Sequence, residues 1–190
     1  MIDFDATNES IDNLKRFKEF VSVINNNGLN RVINLYGNYY SNILNKFGLN
    51  GYCSGITGGT KKRARLYKGS GGGFATKVYV PKFHNEILEE NFRAAIQIYD
   101  QLTFSCIKCQ EINDGLNRDS PNYPQFYANE LMSQHSNFIH ALYCRSNENA
   151  FIDNSSLIEI RNEMEDIYNE FGRNVYVLHL NKWVEVLRYD

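Results

Sequence analysis

Apolar side chains recur every three to four residues in the first part of the chain, which is the period of a helix with one buried face. Residues 11–25 and residues 32–48 have this spacing, and an Asn-rich stretch that ends at Gly28 separates them. Because the connection is short, we predict a helical hairpin over residues 1–48. Gly48 stands where a left-handed glycine commonly ends a helix.

The period changes to two in the next part of the chain, where apolar and polar side chains alternate as they do in a β-strand. Residues 63–67 and residues 74–80 have this alternation and flank the glycine-rich residues 69–73. Two strands joined by a glycine-rich tip form a hairpin, so the sequence predicts a β-hairpin over residues 61–82.

The helical period returns over residues 85–172. We predict a long helix over residues 85–112 and a second helix over residues 125–145. The third helix begins at Ser156 and Glu159, which have the spacing of a capping box.

Two apolar runs on either side of the polar pair Asn181 and Lys182 predict a second β-hairpin, over residues 175–188. The complete order of elements is ααβ2αααβ2. This order predicts a single α+β domain over residues 1–190, with about five helices packed on two small antiparallel sheets.

The composition agrees with a folded chain in a reducing compartment. Of 190 residues, 43% are hydrophobic, and 13 Tyr and 12 Phe exclude the aromatic-poor composition of disordered proteins. No run approaches the roughly 20 apolar residues of a membrane span, and the acidic N-terminus lacks the pattern of a Sec-type signal peptide. We therefore expect a cytoplasmic protein, in its own cell or in a host cell, whose four cysteines are reduced thiols.

The charges are segregated along the chain, although the formal net charge is only −2. No Asp or Glu occurs between Glu19 and Glu86, and these 66 residues carry nine bases. Seven of those bases lie in residues 61–82, whereas the rest of the chain is acidic. A local basic hairpin with a glycine-rich tip can neutralise phosphates, and aromatic rings beside it can stack on bases.

From this segregation we predict a non-catalytic protein that binds nucleic acid or another phosphate-rich ligand through residues 61–82, without a cofactor. Arg63 and Arg65 lead the expected phosphate contacts, and Tyr67 and Phe74 are the stacking candidates. The remaining expected ligand-binding residues are bases and tip glycines: Lys61, Lys62, Lys68, Lys77, Gly71 and Gly72. An inhibitor or immunity-type module that binds an acidic protein is the first alternative.

A small thiol-dependent enzyme is the second alternative. Cys53 lies in a glycine-rich connection rather than on an apolar stripe, which makes it the best candidate nucleophile. Such a thiol needs a histidine within hydrogen-bonding reach, and His84 is close in sequence to the basic hairpin. His135 shares an apolar helix face with Phe138, which favours a structural role for that histidine.

Four residues have the types and spacing of a zinc site, namely Cys106, Cys109, His140 and Cys144. The helical spacing argues against this interpretation. In a continuous helix over residues 85–112 both cysteines extend the apolar stripe, which is typical of small buried hydrophobic side chains. The prediction is therefore that the chain binds no metal, with this set as the alternative.

Overall fold

The computed structural model describes residues 6–28, 31–34, 37–52, 77–99, 102, 104, 106–172 and 174–188. The described residues up to 52 and from 149 onward form one compact unit, here named unit 1. The described residues from 77 to 148 form the other, named unit 2. The mixed helix-and-sheet class is confirmed, with eight α-helices in the described ranges rather than about five. The single domain stays a prediction.

Unit 1 contains three complete helices, α1 (Ile11–Asn26), α7 (Leu157–Phe171) and α8 (Leu178–Leu187). It also contains the short helix α2 (Tyr39–Ile43), a 3-10 turn over Leu44–Phe47, and two strands. The strands β1 (Ile33–Asn34) and β2 (Gly51–Tyr52) pair in parallel, with Ile33 opposite Gly51.

The core of unit 1 is built around Trp183, which is fully buried on α8. Its indole Nε1 donates to the Ala6 carbonyl oxygen at 2.9 Å. The ring of Tyr40 lies 5.6 Å from the Trp183 ring, and the Tyr40 hydroxyl donates to the Leu14 carbonyl oxygen at 3.1 Å. Both polar handles are satisfied, as buried Tyr and Trp require.

Unit 2 contains an antiparallel pair of strands, β3 (Lys77–Val80) and β4 (Asn85–Leu88), joined by a 3-10 turn over Pro81–Phe83. Lys77 lies opposite Leu88 and Val80 opposite Asn85. The helices of this unit are α3 (Glu89–Ile98), α4 (Ile107–Asp114), α5 (Tyr123–Met132) and α6 (Gln134–Asn154). The boundary between the two units falls within α6.

Two helix predictions in unit 1 are confirmed. Helix α1 covers the predicted residues 11–25, and α7 begins at the predicted capping box. The Ser156 hydroxyl accepts from the Glu159 amide at 3.2 Å, and the Glu159 carboxylate accepts from the Ser156 amide at 2.7 Å. Gly172, with φ of 61°, ends α7.

The helix predicted over residues 32–48 is wrong in its first part, where Ile33 and Asn34 form β1. Gly37 gives the physical reason. A Cβ added there would lie 2.6 Å from the Tyr52 ring, so the backbone approaches β2 closely and needs glycine. Only α2 and the 3-10 turn remain of this helix, and Gly48 ends the turn with φ of 100°.

The β-hairpin predicted over residues 175–188 is also wrong, because α8 lies there. Val177, Leu180, Val184 and Leu187 are buried at steps of three and four residues, so the apolar pattern also fits a helix. The abundance of β-branched residues indicates strands locally, but packing against α7 and α1 decides the outcome.

The helix predicted over residues 85–112 is interrupted, since it begins as β4, continues as α3 and resumes as α4. Tyr99 leaves α3 with extended φ of −118° and ψ of 98°. The helix predicted over residues 125–145 is two helices, because Ser133 is extended between α5 and α6. For the hairpin over residues 61–82, β3 lies within the predicted second strand, and the first strand lies outside the described residues.

Candidate metal centre

Helices α4 and α6 bring four metal-binding side chains together in unit 2. Cys106 is the N-cap residue of α4, and Cys109 lies in the first turn of that helix. His140 and Cys144 are one turn apart on α6. Steps of three and four residues place each pair on one side of its helix.

The imidazole of His140 is the centre of this cluster. Its Nδ1 lies 3.2 Å from the Cys106 Sγ, 3.2 Å from the Cys109 Sγ and 3.4 Å from the Cys144 Sγ. None of the four side chains is more than 5% exposed. The ligand atoms of Cys106, His140 and Cys144 all lie within 4.8 Å of one another. The structure therefore unites the four residues of the alternative zinc set.

The helix-register reasoning against this set is wrong for both helices. Cys106 precedes α4 with extended φ of −65° and ψ of 155°, so it does not continue the stripe of α3. On α6 the buried positions are His140 and Cys144, whereas Phe138 is 42% exposed and Leu142 is 44% exposed. The polar side of α6 faces inward.

The hydrogen bonds of His140 fix its tautomer. Its Nε2 lies 2.8 Å from the carbonyl oxygen of Tyr79 on β3. Because a carbonyl oxygen can only accept, Nε2 carries the proton and Nδ1 presents its lone pair to the three sulfur atoms. Metal-binding histidines typically use this arrangement, in which the second ring nitrogen donates to a carbonyl or carboxylate.

The protonation of the thiols is strongly perturbed. Hydrogen bonds from the Cys109 and Cys144 thiols hold the pKa of Cys106 far below its ordinary value, although burial opposes this shift. The hydrogen bond to Cys106, followed by burial, raises the pKa of both Cys109 and Cys144. Without a cation the cluster is thus stable with one thiolate and two thiols, and three thiolates require a compensating positive charge.

Sequence reasoning missed the polar contacts by which α6 holds the β3–β4 hairpin. The Asn137 side chain donates to the Lys77 carbonyl oxygen at 2.7 Å, and Arg145 forms an ion pair with Glu86 at 2.8 Å. Glu148 lies one turn beyond Cys144 on the same side of α6. The polar residues at steps of three and four along α6 were the available signal for this face.

His84, the predicted partner of a reactive thiol, is 4% exposed and has a left-handed φ of 47°. Its Nδ1 lies 2.7 Å from a carboxylate oxygen of Glu148, whose other oxygen accepts from the Tyr79 hydroxyl at 2.5 Å. Cys53 lies outside the described residues, so its pairing with His84 stays a prediction. His135, predicted on an apolar face, is exposed to solvent.

Of the predicted ligand-binding residues, Lys77 is described, and it begins β3 as a half-buried residue. The others lie outside the described residues: Lys61, Lys62, Arg63, Arg65, Tyr67, Lys68, Gly71, Gly72 and Phe74. Tyr79, a further aromatic residue beside these bases, is 5% exposed, and Arg145 lies 4.8 Å above its ring. Its ring is therefore not available for stacking on a base.

Comparison with known proteins gives no match: no protein-family model, curated protein or solved structure is significantly similar to the chain. The described helices include none that is long and apolar enough to cross a membrane. The class is therefore defined by the fold and the cluster alone, a mixed helix-and-sheet protein with a buried set of three cysteines and one histidine.

Proposed function

We propose that the chain is a metal-binding protein, whose Cys106, Cys109, His140 and Cys144 side chains hold one structural Zn²⁺ ion. The observation that carries this proposal is the convergence of three sulfur atoms on one imidazole nitrogen, at 3.2 to 3.4 Å. Tetrahedral zinc with ordinary Zn–S and Zn–N distances separates sulfur from nitrogen by about 3.5 Å. The cluster has nearly these dimensions.

The donor types favour zinc among the common metals. Thiolates are soft ligands that select zinc over the hard cations Mg²⁺ and Ca²⁺. Four donors that converge on one point fit a single ion, and three sulfurs with one nitrogen form a closed structural set. A divalent cation also supplies the charge that allows Cys109 and Cys144 to lose their protons.

The proposed ion stabilises unit 2 by joining segments that are distant in sequence. It links α4 to α6, and the Nε2 donor of His140 extends the link to Tyr79 on β3. Because a structural zinc site does not form in an unfolded chain, its binding free energy contributes directly to folding.

Metal analysis of matched histidine variants tests the proposal. We expect the purified, reduced wild-type chain to contain one zinc per chain and to bind Co²⁺ with the absorption bands of tetrahedral thiolate coordination. His140→Gln and Cys144→Ser should lose the stoichiometric zinc. His135→Gln should retain it, because His135 is an exposed residue on the same helix. Equal zinc in His140→Gln and His135→Gln, or a wild-type chain that takes up no metal, contradicts the proposal.

A second proposal concerns residues 61–82, and the segregation of charge supports it. We propose that this base-rich segment binds nucleic acid or another phosphate-rich ligand, with Arg63 and Arg65 among the phosphate contacts. Seven bases in 22 residues, with no acid between Glu19 and Glu86, give a local charge that suits a polyanion.

Salt-dependent binding to a labelled single-stranded oligonucleotide tests this second proposal. The Arg63→Ala/Arg65→Ala double variant should bind more weakly, and the slope of log K against log salt should fall by about one to two units. The exposed pair Arg16 and Arg118 provides a control double variant with the same net charge. Equal slopes in the two double variants contradict the proposal, and binding to an acidic protein instead favours the inhibitor-type alternative.

A further inference from the structure

We infer that Tyr127 is a positioning residue of the metal centre, which orients Cys109 through its hydroxyl group and His140 through Phe104. This inference rests on the proposed zinc site. It adds a residue that lies on a third helix, α5, and that is not itself a ligand.

The Tyr127 hydroxyl is fully buried beside the cluster. It accepts a hydrogen bond from the Phe104 backbone amide at 3.2 Å. Because the amide donates to the hydroxyl oxygen, the hydroxyl proton is directed to a different partner, and the Cys109 thiol is its hydrogen-bond partner. Cys109 is itself fully buried, so the sulfur has no access to water as a donor.

Phe104 transmits the same contact to the histidine. Its ring stacks on the His140 imidazole with centroids 4.7 Å apart and an angle of 23° between the planes. The amide bond to Tyr127 therefore locates the residue that packs on one face of the imidazole. The Tyr79 carbonyl oxygen fixes the Nε2 edge of the same ring. Two of the four proposed ligands thus depend on one hydroxyl group.

A hydroxyl donor changes the chemistry of a thiolate ligand. The O–H···S bond stabilises the charged form of sulfur, and it lowers the pKa of Cys109 against the opposing effects of Cys106 and burial. It therefore favours proton release when the metal binds. Hydrogen-bonding partners of metal ligands typically contribute 10- to 100-fold to metal affinity.

Tyr123 supplies a matched control on the same helix. Its ring lies 5.9 Å from the Tyr127 ring, and its hydroxyl donates to the Asn113 side chain rather than to a cysteine. Tyr123→Phe and Tyr127→Phe each remove one hydroxyl group from α5. Only Tyr127→Phe removes a donor to a proposed ligand.

The experiment compares zinc affinity and the Co²⁺ spectrum in three full-length proteins: wild type, Tyr127→Phe and Tyr123→Phe. Zinc affinity is measured by competition with a chromophoric chelator, and metal binding is followed as a function of pH. Tyr127→Phe should bind zinc about 10- to 100-fold more weakly. Its thiolate-to-cobalt charge-transfer band should move to longer wavelength, and its metal uptake should move to higher pH. Tyr123→Phe should behave as wild type in all three measurements.

The pH and spectral readouts separate positioning from general packing. Wild-type affinity with an unshifted band in Tyr127→Phe overturns the inference and leaves the zinc site itself supported. Equal weakening in both variants, without a band shift, also overturns it, because loss of packing then explains the result. A wild-type chain that binds neither zinc nor Co²⁺ overturns the proposed function, and the inference fails with it.

Discussion

Removal of zinc should loosen unit 2, and the burial of the ligands determines how strongly. The four ligand side chains are at most 5% exposed, and they come from two helices whose cysteine and histidine positions are 31 or more residues apart. An opened unit 2 therefore cannot keep the complete site. Zinc binds the closed form and not the open form, which is the condition for stabilisation by ligand linkage.

The size of the effect follows from that linkage. At a free zinc concentration of 100 times Kd, the closed form gains about 2.7 kcal/mol. This free energy corresponds to about a 100-fold change in the ratio of open to closed molecules. Amides that exchange only through this opening should therefore exchange about 100-fold faster after chelation.

Hydrogen–deuterium exchange with peptide resolution measures this change. Peptides from α4 and from the part of α6 before residue 149 report on the proposed site. The Gln110 amide, which donates to the Cys106 carbonyl oxygen at 2.9 Å, lies in the first of these peptides. Helix α7 provides an internal reference, because it carries none of the four ligands. The zinc-buffered and chelated samples are compared under reducing conditions.

Equal exchange in the α4 and α6 peptides, in samples whose zinc content differs by one ion per chain, would refute this reasoning. Such a result would mean that the ion binds outside the cluster, or that the cluster retains its geometry without it. His140→Gln in zinc buffer should reproduce the exchange of the chelated wild type. His135→Gln should reproduce the exchange of the zinc-bound wild type.

Two further predictions concern stability. In the metal-free chain, burial and the Cys106 contact raise the folded-state pKa of Cys109 and Cys144 above the ordinary value of 9.0. Their contribution is present below pH 9 and is lost as the pH rises above it, by up to about 2.7 kcal/mol per pH unit in urea unfolding of the metal-free chain. Ser156→Ala removes the N-cap acceptor of the Glu159 amide and should cost about 1 kcal/mol. Urea unfolding followed by the fluorescence of Trp183, the single tryptophan, measures this loss, and an unchanged midpoint contradicts the capping role.

The parts of the fold that the sequence predicts correctly depend on local signals. Helix α1 begins with the Ser10 side chain accepting from the Asn13 amide, and α7 begins with a capping box. Both signals lie within four residues, so no tertiary contact is needed to recognise them. The residues of α8 carry no comparable cap, since Val177 makes no side-chain capping bond. There the local β-branched composition and the helical period conflicted, and packing decided between them.

The candidate metal centre could be recognised from residue types, but not from periodicity. Periodicity assumes that the inward side of a helix is its apolar side, and α6 does the opposite. It leaves Phe138 and Leu142 more than 40% exposed, and it buries His140 and Cys144. Burying a large apolar side chain is worth roughly 1.5 to 3 kcal/mol, so this orientation gives up several kilocalories per mole of available burial.

An interaction of at least that size must favour the polar side. The hydrogen bond from His140 to Tyr79 contributes about 1 kcal/mol, which is too small by itself. Structural zinc binding is worth about 10 to 16 kcal/mol in zinc-finger peptides, more than enough to reverse the apolar preference of one helix. The inverted face of α6 is therefore an argument for the metal that does not depend on the sulfur–nitrogen distances.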